Sequence, residues 1–228
     1  MTDPLSRASS FSYRCKACSR CCRDKKIQLN PYELARLALA AELPVVELIE
    51  RFTVDGVHLR QQPDGTCVLL GPEGCTVHRH RPLVCRLYPL GRIVNPTGER
   101  FVRVTPHPRS EGLFGEDGRV SDYLAQQGAP PFMAAADAYY ALYLRLAVLP
   151  PDGLSALGRM DLLDLETTVD ADCRRRGETP PETLEERAEH HVAILAARCG
   201  LLLANVSVRG TPGSPLTVPA PGFSDPRA

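Results

Sequence analysis

The sequence predicts an α+β fold in which a small cysteine-rich region of short strands and turns is followed by an α-helical C-terminal half. Three observations predict it. Seven of the nine cysteines, at 15, 18, 21, 22, 67, 75 and 85, lie in the first 85 of 228 residues. Between 54 and 103, short apolar runs alternate with glycine, proline and asparagine turns. Beyond that point, apolar residues recur at spacings of three and four. The expected division is a disordered arm over 1–12, a cysteine-cluster domain over 13–105, a helical region over 106–208 packed on it, and a disordered Pro/Gly-rich tail over 209–228.

The elements follow from local chemistry. In "LNPYELARLALAAELP", Asn30 is the expected N-cap, Pro31 suits the first turn, Glu33 completes a capping box and Pro44 ends the run. "VVELIERF" reads as a second short helix. "GVHLRQQ" and "TCVLL" read as strands around the turn "PDGT", and "LGRIV" and "RFVRV" as a hairpin around "NPTGE". Pro82 can start one helical turn carrying Cys85. "TPHPRSEGLFGEDG" reads as a loop whose glycines make turns. Four helical runs follow, "VSDYLAQQG", "PPFMAAADAYYALYLRLAVL", "MDLLDLETTVDADCRRR" and "PPETLEERAEHHVAILAARC". In the second, Met133, Ala134, Ala138, Leu142, Tyr143 and Leu146 form the expected core stripe. Cys173 and Cys199 sit alone in helical sequence and read as buried small hydrophobes.

A formal net charge of zero argues against a general polyanion binder. The N-terminus has no apolar run resembling an export signal, and "VAILAARCGLLLANV" is too short and too interrupted for a bilayer span. The chain is therefore read as cytoplasmic, with no membrane partner. In a reducing compartment, clustered thiols point to metal ligation or redox chemistry rather than to disulfides. The run "YRCKACSRCCRDKK" gives C-x-x-C-x-x-C-C, with three distant cysteines among turn residues. Zinc takes four ligands in a tetrahedron, and a [4Fe–4S] cluster takes four cysteines. Seven thiols exceed one such site. Adjacent Cys21 and Cys22 suggest either a two-metal site with a bridging sulfur or one ligand beside one spectator. His107 is a candidate eighth ligand, and His78 and His80 are weaker ones. The windows 14–26 and 78–92 hold ten Lys or Arg against one acid, Asp24, a balance suited to an anionic thiolate site. Nucleic acid would also suit that charge, but the aromatic interleaving used to stack single strands is missing.

The pieces "CKACSRCC" (15–22), "LNPYELARL", "GTCVLL", "GCTVHRHRP" and "RPLVCRLYP" (81–89) resemble the YkgJ-type cysteine-cluster family, also described as a CxxCxxCC zinc- or iron-chelating domain. The resemblance spans roughly residues 13–105. It implies that Cys15, Cys18, Cys21, Cys22, Cys67, Cys75 and Cys85 bind metal, with Arg81, Arg86 and Tyr88 supporting them from behind. Relatives carry Cys-Pro where this chain has His107-Pro108. The expected cofactor is an iron–sulfur cluster, favoured as [4Fe–4S] because the donor set is large and nearly all thiolate, or zinc. The expected role is electron transfer, sensing or structural stabilisation, with a protein partner on the helical half. One alternative is an S-adenosylmethionine-dependent protein-lysine N-methyltransferase resembling flagellin lysine N-methylase. No nucleotide-binding glycine loop or general base is assignable for it, and no catalytic residue is named. A zinc-stabilised interaction module is the other alternative.

Overall fold

Asn30 and Glu33 start the first helix as their spacing predicts. The Asn30 side chain accepts from the Glu33 amide at 3.0 Å, and the Glu33 carboxylate accepts from the Asn30 amide at 2.9 Å. Helix α1 then runs Pro31–Ala41, and α2 runs Val45–Phe52 directly after Pro44. The computed structural model describes residues 4–95, 98–149 and 157–209. The remaining helices among them are α3 (Leu83–Leu87), α4 (Val120–Gln126), α5 (Pro130–Leu146), α6 (Arg159–Leu163), α7 (Leu165–Arg176) and α8 (Leu184–Arg209). Three two-stranded antiparallel sheets accompany them. They are β1 (Ser10–Arg14) with β6 (Leu113–Arg119), β2 (Leu70–Gly71) with β3 (Gly74–Cys75), and β4 (Leu90–Asn95) with β5 (Gly98–Arg103). The architecture is α+β, and none of the helices is long and apolar enough to cross a membrane.

Several local expectations change. The segment read as an arm is built into the fold from Leu5 onward. Leu5 exchanges backbone hydrogen bonds with Phe101, and Phe11 on β1 is 1% exposed. Burial of one large aromatic ring supplies what composition alone did not reveal. "GLFGEDG" is strand β6 rather than a turn, held by pairing with β1 from Arg14↔Leu113 to Ser10↔Arg119. Residues 54–69 make only isolated bridges instead of two full strands. "MDLLDLETTVDADCRRR" is two helices, because the Asp164 side chain turns back to accept from the Thr167 amide and starts α7 there. The stripe on α5 is displaced: Phe132, Ala135 and Tyr139 are buried with Met133, Leu142 and Leu146, whereas Ala134 is exposed. Cys173 and Cys199 are buried, at 0% and 1% exposure. Of the expected tail over 209–228, Arg209 ends α8 and residues 210–228 lie outside the described residues.

The main hydrophobic core combines Leu34, Leu37 and Leu48 with Leu142, Leu165 and Leu195. A second core joins Phe11, Leu90 and Phe101 to Tyr123, Leu124 and Met133. The helical region and the cysteine-rich region therefore share their interiors. Side chains reinforce this: Tyr32 donates to Glu185 of α8 at 2.7 Å, Arg36 donates to Tyr32 and Glu185, and Arg92 of β4 forms a paired contact with Asp137 of α5 at 2.7 Å.

One buried polar chain sits inside the helical half. The Tyr139 hydroxyl donates to His191 Nδ1 at 2.8 Å, and His191 Nε2 donates to the Asp161 carbonyl at 2.7 Å. Of the two neutral tautomers, only the one protonated on Nε2 satisfies both contacts. Burial pushes the His191 pKa down from 6.5 to about 4. The unfolded chain therefore takes up a proton that the folded chain refuses, so this contribution is intact above pH 6.5 and is lost as pH falls toward 4. Acidification across that window is expected to cost about 3 kcal/mol. Urea titrations at pH 7 and pH 4.5 test this against His191→Gln, which is expected to flatten the slope.

Candidate metal centre

The sequence brings distant cysteines together by backbone pairing. After the knuckle, the Cys22 carbonyl accepts from the Cys67 amide at 2.8 Å, Arg23 bridges Thr66, and the Asp24 amide donates to the Gly65 carbonyl at 2.9 Å. Gly65 has a φ of 79°, and a Cβ there would meet Asp24 Oδ1 at 2.1 Å, so this approach requires glycine. The β2–β3 hairpin then returns the chain from Leu70 to Cys75. The turn Pro82–Leu87 carries Cys85, whose amide donates to the Pro82 carbonyl at 3.0 Å.

The result is a cavity of ≈ 460 Å³ lined by all seven N-terminal cysteines, with Tyr13, Lys25, His78, Arg81, Tyr88 and Tyr123 also in its wall. The early quartet and the later trio thus face one space. Cys21 and Cys22 both point into it, with their sulfurs 4.0 Å apart. No group of three or more His, Cys, Asp or Glu side chains among the described residues is close enough together to hold a single metal ion. All nine cysteines are free thiols.

Several sulfurs are met by the amide two residues ahead. The Ala17 amide donates to Cys15 Sγ at 3.3 Å. The Leu69 and Val77 amides face the Cys67 and Cys75 sulfurs in the same way. An N–H aimed at sulfur favours thiolate, the form that binds metal. Burial outweighs these amides: it pushes the Cys67, Cys75 and Cys85 thiols up, furthest for Cys85, where neighbouring thiols add to the effect. Cys21 goes the other way, because Cys22 hydrogen-bonds to its sulfur and Lys25 and Arg81 lie near. The Lys25 ammonium stands 4.2 Å from the Tyr88 ring centre. Its pKa is pushed down by burial, against the pull of Cys21, Cys85 and Cys22.

Knuckle geometry also carries strain. Ala17 and Ser19 have φ of 52° and 57°, in the left-handed region that non-glycine residues avoid. Ala17→Gly is expected to raise stability by about 1 kcal/mol, read by urea denaturation, because glycine adopts this conformation without the Cβ clash.

The supporting residues divide. Arg81 lines the cavity and donates to the His78 carbonyl and to Gln127 Oε1, each at 2.6 Å. Tyr88 lines it as well, and its buried hydroxyl has no partner in good hydrogen-bonding geometry, although Ser110 and the His107 amide lie close. Arg86 is not in the cavity wall. Its guanidinium donates to the carbonyls of Arg79, Arg81 and Gln127 and lies 3.9 Å from the Phe132 ring centre, as a staple behind Cys85. His107 is not in the wall of the cavity, and its Nδ1 accepts from the Arg109 amide at 3.1 Å. His78 is in the wall, a placement that its position beside Cys75 hinted at but its basic neighbours obscured. The local charge is also less concentrated than the sequence suggests, since Arg23 pairs with Asp64 and Arg92 with Glu99 and Asp137.

Residues 14–105 match one family model, described as "CxxCxxCC: Putative zinc- or iron-chelating domain". Neither the curated proteins nor the solved structures contain a match to the chain.

Proposed function

We propose that the cavity, in the segment 14–105 that matches the zinc- or iron-chelating family model, holds a polynuclear iron–sulfur cluster, of the [4Fe–4S] type, and that the protein serves electron transfer or redox sensing in the cytoplasm. One observation carries this reading. Seven thiols rim one ≈ 460 Å³ cavity, three more than the four ligands that one zinc takes. Mononuclear zinc draws its sulfurs in to about 2.3 Å from one point, whereas a cluster spreads them around a larger body. The donor set fits: Cys18, Cys21, Cys22, Cys67, Cys75 and Cys85 are partly shielded from solvent, and Cys15 stands exposed at the knuckle. Such a group supplies one-electron chemistry when bound. The chain's own residues hold and tune it. Amides from Ala17, Leu69 and Val77 meet sulfur, and Lys25 and Arg81 offset thiolate charge. Cys15 and its neighbours Lys16 and Ala17 are exposed, which suits exchange with an external partner.

The test is direct. Full-length protein prepared without oxygen is expected to be brown and to contain iron and acid-labile sulfide in near-equal amounts. A colourless protein with stoichiometric zinc would overturn the cluster and leave a zinc-stabilised module. The glycines of 112–118, which a nucleotide-binding loop would use, lie in or beside strand β6.

A further inference from the structure

We propose that Glu33, on α1, is a positioning residue for the thiol-lined centre and sets the place of Cys85; this rests on the reading of the cavity as a metal-cluster site. Its side chain is buried, with 4% of the residue exposed. One carboxylate oxygen caps its own helix through the Asn30 amide. The other reaches fifty residues along the chain and accepts from the Leu83 amide at 2.7 Å. Leu83 is the first residue of α3, a five-residue helix with no side-chain cap from Pro82, and Cys85 is at its centre. A single turn of helix does not hold itself in water, and a buried carboxyl oxygen accepting from its first amide is a local restraint on it.

The other end of the restraint is rigid. The neighbours of Glu33 on α1, Tyr32 and Arg36, both bond to Glu185 of α8. On the opposite side of the α3 turn, Arg86 holds three carbonyls. The Cys85 turn is thus gripped by Glu33 at its start and by Arg86 behind, and the Glu33 grip links it to the helical half. A glutamine cannot replace the carboxylate, because two amides, from Asn30 and Leu83, both need an acceptor and the amide group offers only one oxygen.

The experiment loads full-length protein with ferrous iron and sulfide without oxygen, then follows cluster loss to a chelator and the electron paramagnetic resonance of the reduced form. Glu33→Gln is expected to release its cluster about 10-fold faster or more, the scale found when supports of metal ligands are removed, and to show a shifted spectrum. Asn30→Ala weakens the same helix start but leaves the Leu83 contact, so it is expected to stay close to the unsubstituted protein in both readouts. Leu83→Pro deletes the donated N–H at a first helical position that accepts proline and is expected to follow Glu33→Gln; it decides the question if Glu33→Gln does not fold. Equal release rates and spectra for Glu33→Gln and Asn30→Ala, or an unchanged Glu33→Gln, overturn the role. If the unsubstituted protein takes zinc only, the same comparison of zinc release decides it. If it loads neither metal, the metal-site reading itself falls, and this role with it.

Discussion

Replacing Cys85 by serine is expected to abolish stable cofactor loading. A neutral hydroxyl is a poor exchange for thiolate, and loss of a ligand is expected to weaken binding at least about 100-fold. Because a thiolate site gives folding free energy to the segments it joins, the variant is also expected to melt earlier in its N-terminal half. Cys85 is the informative choice: it shares the cavity with six other cysteines, and burial raises its thiol pKa furthest from the ordinary range among the three distant cysteines. That thiol is costly to ionise unless a cation compensates. Metal analysis with thermal melting reads both effects. Cys173→Ala, altering a cysteine buried between α7 and α8, is the control and is expected to keep full loading. A Cys85→Ser protein with normal metal content would show that this sulfur is not a ligand.

Arg86→Ala is expected to be the most destabilising change outside the cysteines. Arg86 is 6% exposed, serves three carbonyls and stacks on Phe132. Its removal takes the donor from three part-buried carbonyls and leaves a void against the ring, together about 3 kcal/mol. Arg86→Lys is expected to recover less than half, since one ammonium cannot span three carbonyls or stack as a plane does. Urea denaturation of the protein without metal separates this effect from cofactor loss. A cost below about 1 kcal/mol for Arg86→Ala would mean that the turn is held by other contacts.

These two residues stand next to each other in "RPLVCRLYP", and only one job is legible there. Cys85 announces itself, because clustered thiols without disulfide context point to metal. Arg86 reads as one more cation around the sulfurs, although its side chain turns away to backbone carbonyls that the sequence cannot show. Glu33 is similar. Its capping box is visible three residues from Asn30, but its second oxygen bonds a residue fifty positions away. The sequence ranked His107 above His78, and the folded chain reverses the order: His78 is in the cavity wall and His107 is not.

By itself the sequence determined the local elements whose signals lie within a few residues: the caps of α1, the β4–β5 hairpin, the knuckle with its four thiols, and the burial of Cys173 and Cys199. Tertiary structure decided what depends on contacts between remote segments. It made "GLFGEDG" a strand through pairing with β1, joined both halves in shared cores across residue 105, and gathered seven thiols around one cavity. The physical reason is range. Capping and periodicity act over one or two turns, whereas pairing and burial become favourable only after distant segments have met, and nothing in the local sequence records which ones will.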